Sequence, residues 1–279
     1  MKIDAHQHFW HYSPVDHVWM DDRMTVLKQD YLPGDLKPLL DQAGFDGCVA
    51  VQARQNLDET RWLLQLADQN EFIRGVVGWV DLRSDEVDAE LDEFAPHPKL
   101  VGVRHVVHDE ADDEFMLGAA FQRGISRLAS RGLVYDLLLF PKHLPVAVGL
   151  VGEFPEQVFV LDHIAKPLIA DGLLSPWRED LRELARFPNV ACKLSGLVTE
   201  AKWNQWKAED FSRYLDVVLE AFGPDRLMIG SDWPVCTLSA SYSGALGVVR
   251  DFIANLPESD QAAILGGTCA RVYGVGKSD

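Results

Sequence analysis

Short apolar, β-rich runs alternate with longer amphipathic stretches from one end of the chain to the other. Eight such runs stand out, at residues 2–6, 47–53, 73–80, 100–105, 133–139, 157–163, 189–195 and 227–232. Several are continuous, such as Cys48-Val49-Ala50-Val51 and Val158-Phe159-Val160-Leu161. That is the pattern of strands buried on both faces of a parallel sheet. Helical spacing fills most of the gaps, for example at 57–70, 112–131, 178–187 and 210–222. The repeated βα order predicts an α/β architecture, and a count of eight predicts a closed (β/α)8 TIM-type barrel over a doubly wound sheet.

Punctuation agrees. Gly44-Phe45-Asp46-Gly47, Phe154-Pro155-Glu156, Phe187-Pro188-Asn189 and Phe222-Gly223-Pro224-Asp225 each precede a predicted strand and read as αβ turns. No linker, repeat or low-complexity tract interrupts residues 1–279, so one domain is expected. The aromatic- and proline-rich segment 9–36 follows the first strand and reads as a long βα loop over the active-site mouth. Segment 199–207, with Trp203 and Trp206, reads as a second.

Length and composition narrow the class. The 279 residues match the ~250 that one such barrel needs. Hydrophobic residues at 47% and charged residues at 25% are ordinary for a globular enzyme with a large core. No apolar run approaches the ~18 residues of a membrane span, and the best candidate, 133–140, is broken by Asp136. The start, Met1-Lys2-Ile3-Asp4, carries charge where a signal peptide needs an apolar stretch, so a cytoplasmic protein without membrane contact is expected. Cys48, Cys192, Cys236 and Cys269 are widely spaced with no CxxC pair, which suits reduced, buried thiols. A net charge of −17 argues against a nucleic-acid partner, whose phosphates would be repelled. It says little about small substrates, because a pocket can differ in sign from the whole molecule. The oligomeric state stays open.

In a (β/α)8 barrel, catalytic side chains sit at the C-terminal ends of the strands. The first strand closes on Asp4-Ala5-His6-Gln7-His8, and alternation puts His6 and His8 on one face, where both imidazoles can converge on one ion or carbonyl. The sixth closes on Leu161-Asp162-His163, and the eighth on Gly230-Ser231-Asp232. Each has an ordinary alternative: a solvated strand end, a capping histidine, and for Asp232 a helix N-cap. Three strand ends each bearing a ligand-type residue favour a shared site.

The motifs Asp4-Ala5-His6-Gln7-His8-Phe9-Trp10, Asp162-His163-x-x-Lys166-Pro167 and Gly230-Ser231-Asp232-Trp233-Pro234 resemble those of the amidohydrolase-2 branch of the amidohydrolase superfamily. More narrowly they resemble the group holding L-fuconolactone and L-rhamnonolactone hydrolases and a metal-independent pyrone-dicarboxylate lactonase. The likeness runs from Ile3 to about Tyr273. It implies that Asp232 is the general base taking a proton from water. His6, His8 and His163 would either hold one divalent ion together with Asp232, zinc being the expected metal, or polarise the lactone carbonyl directly without a metal; both stabilise the same developing oxyanion. Two-metal members carry a bridging Lys or Glu near strand 4 and histidines on two later strands. Here strand 4 ends in Arg104-His105, and strand 5 holds Tyr135-Asp136 with no histidine until His143. One ion or none is therefore expected.

Gln52, Arg54, Arg104, His105, Lys166 and Trp233 are candidate substrate-binding residues, with rim salt bridges as the alternative for the charged ones. Ser195 ends the seventh strand and is a candidate contact for a ligand hydroxyl. Phe9, Trp10, Trp19, Trp203 and Trp233 suit the apolar face of a sugar ring or, alternatively, loop packing. The resemblance implies hydrolysis of an aldono-lactone of the L-fucono or L-rhamnono type to the aldonic acid. The alternatives are a metal-dependent decarboxylase of the same superfamily and a non-catalytic barrel that binds a sugar acid.

Overall fold

A computed structural model describes residues 1–276. Its eight strands are β1 (Ile3–Gln7), β2 (Gly47–Val51), β3 (Ile73–Gly78), β4 (Leu100–His105), β5 (Val134–Leu137), β6 (Phe159–Leu161), β7 (Val190–Leu194) and β8 (Leu227–Ile229). They pair in chain order, all parallel, in one sheet. Closure comes from the residues just past β8. Gln7 bridges to Trp233, the His8 N–H donates to the Trp233 carbonyl at 2.7 Å, and the Asp232 N–H donates to the His6 carbonyl at 2.8 Å. The helices that follow the strands are α1 (Pro33–Ala43), α2 (Leu57–Gln69), α3 (Val87–Phe94), α4 (Ala119–Ile125), α5 (Leu144–Glu153), α6 (Trp177–Ala185), α7 (Ala208–Phe222) and α8 (Tyr242–Ile253). The chain is a (β/α)8 barrel, and among the described residues no helix is long and apolar enough to cross a membrane. All four cysteines are free and buried.

Two apolar clusters divide the core. Ile3, Ala5, Val49, Val51, Val77 and Val101 belong to an inner one, closed below by Cys269, Tyr273 and Val275 from the C-terminal segment. The larger cluster lies between sheet and helices and takes the opposite strand faces, such as Cys48, Ala50 and Val76.

Strict alternation fails where the site begins. Asp4 pairs with Cys48 but Gln7 pairs with Ala50, so β1 carries one extra residue. Asp4 therefore faces the helices, bonded to the Tyr242 hydroxyl of α8 at 3.1 Å. His6 instead turns inward with Ile3 and Ala5. A bulge that re-aims a side chain beside a site is a known use of this irregularity. A similar step lies in β4, where Val76 pairs with Leu100 but Val77 pairs with Gly102; beyond it Arg104 points inward and His105 outward.

Several expected boundaries move. The helix expected over 112–131 is broken into a 3-10 turn (Phe115–Leu117), α4 and another turn (Ala129–Arg131). Gly124, inside α4, lets that helix press against the loop at Leu82, whose carbonyl a Cβ there would meet. The loop expected to reach residue 36 ends earlier, because Pro33 opens α1 as a proline at a first helical turn can. Strands β5, β6 and β8 stop short of their expected C-terminal ends, and past β6 and β8 the backbone bends to present the site.

Candidate active site

Each histidine is oriented by a different element. His8 is set by β2: its Nδ1–H donates to the Val51 carbonyl at 2.8 Å, which leaves the Nε2 lone pair facing the cavity. His163 lies past β6 in the left-handed region, at φ 53°, and its Nδ1 is 2.8 Å from the Ser195 hydroxyl at the end of β7. Gly196 makes room for it, since a Cβ there would lie 2.7 Å from the His163 ring. Asp232 also has a positive φ, 57°. Its turn is held by Asp4, whose carboxylate accepts from the Ser231 N–H at 2.8 Å and hydroxyl at 2.6 Å.

These residues converge. Asp232 Oδ1 lies 3.4 Å from His8 Nε2 and 3.9 Å from both His6 Nε2 and His163 Nε2, while the His6 and His8 Nε2 atoms are 3.2 Å apart. Burial lowers His6 and His163 well below the ordinary histidine pKa, so both are neutral near pH 7. For Asp232, burial pushes the carboxyl up, but His163, His8 and Lys166 outweigh it and hold the pKa below its ordinary value. The group is an anion at neutral pH.

The donor set fits a single divalent ion. His6, His8 and Asp232 offer three ligand atoms. Their spacing is close to the roughly 3.3 Å edge of a tetrahedron whose donors lie about 2.0–2.1 Å from a zinc ion. Neutral imidazoles and an ionised carboxylate are the forms that bind metal. Three protein donors beside an open cavity match a catalytic site better than a closed structural one. A second cluster, His6, Asp162 and His163, is a poor cation site, because two cations already hold Asp162.

Those cations belong to a charged floor beneath the histidines. Lys193 on β7, fully buried, lies 2.5 Å from Asp136 Oδ2, 2.9 Å from Asp162 Oδ1 and 3.2 Å from His6 Nδ1. Arg104 pairs with Asp162 Oδ2 at 2.9 Å and donates to Gln52 Oε1 at 2.8 and 3.0 Å. Tyr273 donates to Asp136 at 2.8 Å. Burial raises the Asp162 carboxyl, but Lys193, His6 and Arg104 bring it well below the usual carboxylate range. Burial drives Asp136 the other way, to about 6, against the pull of Lys193.

Above this floor a cavity of about 290 Å³ opens at the C-terminal mouth. That is near the lower end of ligand pockets, about 300–1,000 Å³, and suits a single-ring molecule. His8, His163, Asp232, Arg104 and Lys166 line it, with Trp10, Trp19 and Trp203 supplying aromatic wall. His6 lies beneath, fully buried.

Other candidates fall elsewhere. Gln52 is buried and spent on Arg104. Arg54 pairs with Asp16 and Glu59. His105 faces outward, its Nε2 2.7 Å from Glu110 and its ring stacked on Phe115. Trp233 and Phe9 pack against each other within the core, Trp233 also against Tyr31. None of these five lines the cavity. Ser195 bonds His163 instead of facing a ligand.

Sequence reasoning missed His108, Asp109 and Glu200, which line the cavity, and Lys193, which lies under it. For Lys193 the signal was present as a charge inside an otherwise apolar strand. His108 and Asp109 lie just past the end of β4 and carry no comparable mark.

Comparisons with known proteins show what the chain is similar to. A family model described as amidohydrolase matches residues 3–275. A curated L-fucono-1,5-lactonase of Burkholderia multivorans is 44% identical, with 98% of this chain and 96% of that protein aligned. Another, from Burkholderia ambifaria, is 38% identical, covering 86% of this chain and 83% of its own. A crystal structure of a Burkholderia multivorans amidohydrolase with bound zinc is 44% identical with a TM-score of 0.95, covering 99% of this chain and all of that one. A family match over almost the whole chain and relatives at this level of identity establish that the chain belongs to the amidohydrolase family.

Proposed function

We propose that the enzyme hydrolyses an aldono-lactone of the L-fucono or L-rhamnono type to the aldonic acid, in carbohydrate breakdown. The observation that carries this reading is the Asp232 carboxylate on the cavity wall, with three imidazoles within 3.4–3.9 Å of one of its oxygens. The two lactonase relatives support a sugar lactonase, and the choice of sugar follows the substrate they are named for and the motifs the chain shares with such enzymes; the cavity is sized for a single ring.

In this reading Asp232 accepts a proton from water as the water oxygen attacks the lactone carbonyl. His163, its Nδ1 anchored on Ser195, presents Nε2 to the same space and steadies the oxyanion as an N–H donor. When the ring C–O bond breaks, the departing alkoxide takes the proton held by Asp232, leaving a carboxylic acid that ionises and an open-chain hydroxyl. Arg104 and Lys166 offer cationic donors to ring hydroxyls and to the product carboxylate. Trp10, Trp19 and Trp203 cover the apolar ring face and exclude water. A divalent ion such as zinc, held by His6, His8 and Asp232 with His163 alongside, would supply Lewis-acid polarisation and more acidic water.

A panel of aldono-lactones followed by proton release, on chelated and on zinc-loaded enzyme in parallel, tests the proposal. L-fucono- and L-rhamnono-lactones should be hydrolysed well above the buffer rate in at least one state. Activity that survives chelation assigns carbonyl polarisation to the imidazoles, and activity restored by zinc assigns it to the ion. No turnover of any lactone in either state would overturn the reading.

A further inference from the structure

Past β6 the backbone does something L-residues avoid. His163, Ile164, Ala165 and Lys166 have φ of 53°, 48°, 60° and 48°, so four consecutive non-glycine residues lie in the left-handed region. There each Cβ crowds the following carbonyl, and such residues normally occur singly. Strain of this kind persists only where the surroundings over-determine it, and it gathers at functional sites.

The turn has two sides. Ile164 and Ala165 are fully buried in the outer core. His163 and Lys166, three residues apart, both line the cavity. Lys166 pairs with Glu200 at 2.9 Å, and His163 meets Ser195 at 2.8 Å. Both contacts lie on the side-chain ends that face the site. The backbone is closed by the Lys166 N–H, which donates to the His163 carbonyl at 2.8 Å.

One side chain from outside the cavity grips the middle of the turn. Trp177, the first residue of α6 and itself buried, donates its indole N–H to the Ile164 carbonyl at 2.7 Å. Its ring packs against Tyr214 of α7, whose hydroxyl donates to the Leu173 carbonyl at 3.0 Å farther along the same connection. A buried carbonyl that loses its donor has no water to replace it, so the strained turn would relax where it is held.

We propose that Trp177 is a positioning residue: its indole N–H locks the left-handed turn that presents His163 and Lys166 to the cavity. Trp177 does not line the cavity and acts through those two residues alone. The kinetic part of the test rests on the hydrolytic reading above; the spectroscopic part does not.

Trp177→Phe keeps the ring and removes the donor. It is expected to lower kcat/KM for a hydrolysed lactone by roughly 10- to 100-fold, the scale of a small misplacement of reacting groups. In a His163→Asn, Lys166→Met background the same change should alter the residual rate by about twofold or less, because the groups it positions are gone. Equal loss in both backgrounds, or wild-type activity in the single variant, would overturn the proposal. The imidazole nitrogen resonances give a readout that needs no substrate. Those of His163 should shift or broaden in Trp177→Phe while those of His8, held by Val51, stay in place; unchanged His163 resonances would also overturn it. If no lactone is turned over, the resonances still decide the role of Trp177.

Discussion

An ammonium group has three donors and no acceptor. Lys193 faces carboxylate oxygens of Asp136 and Asp162 at 2.5 and 2.9 Å, with the His6 ring beside it, in a space without solvent. Removing it would leave Asp162 with Arg104 and Asp136 without its ion-pair partner, and a broken buried ion pair costs about 3–5 kcal/mol. Lys193→Met should therefore lower the unfolding free energy by about that amount in a denaturant titration. A stability within 1 kcal/mol of wild type, roughly the effect of a surface change, would show that the network is not what holds the floor. Part of this was legible: Asp136 and Lys193 interrupt apolar strands, and a charge at such a place needs a partner. What pattern alone does not encode is side-chain direction. Gln52 and Arg54 stand at the end of β2 as expected, yet one turns to Arg104 and the other to Glu59 and Asp16. Whether a polar group near a mouth meets substrate or a neighbour depends on three-dimensional packing.

At the level of elements, the strands were legible in their apolar cores and misread at their ends. Continuous runs such as Val158-Phe159-Val160-Leu161 mark a buried strand, but the residues that follow leave β geometry to serve the site. The β1 bulge shows the same limit. HxH spacing placed His6 and His8 on one face, and that held, while the extra residue that separates His6 from Asp4 has no mark in the pattern. Gly196, in the left-handed region at φ 65°, makes room for His163. Gly196→Ala should push that ring aside and reduce kcat/KM by about 100-fold, a misplacement-sized loss. Wild-type kinetics in this variant would deny His163 a role. In the first turn of α2, the buried Glu59 accepts from the Ala53 and Arg54 N–H groups at 3.0 and 2.6 Å. Burial raises its pKa from 4.5 to about 7 despite these bonds. The folded state thus keeps a proton that the unfolded chain releases, so stability falls as pH rises from 4.5 to about 7 and levels off above. Unfolding titrations across that window should show Glu59→Gln losing this part of the slope; an unchanged slope would place the titration on other groups.

At the scale of the whole molecule, eight repeats of strand and helix make the barrel readable from periodicity, because each strand must be buried on both faces and each helix on one. The closed barrel then brings residues 6, 8, 163 and 232, on three distant strands, to one rim. Closure itself is made by Asp232 and Trp233 against β1, so the segment that seals the barrel also carries the proposed base. If the Asp232 carboxylate drives hydrolysis, it shows in kcat of wild type and Asp232→Asn on the best-hydrolysed lactone, measured with thermal unfolding of both. The expected loss is about 10²- to 10⁴-fold, the contribution of a general base, in a variant that still unfolds cooperatively. A folded Asp232→Asn enzyme that hydrolyses the lactone as fast as wild type would contradict it.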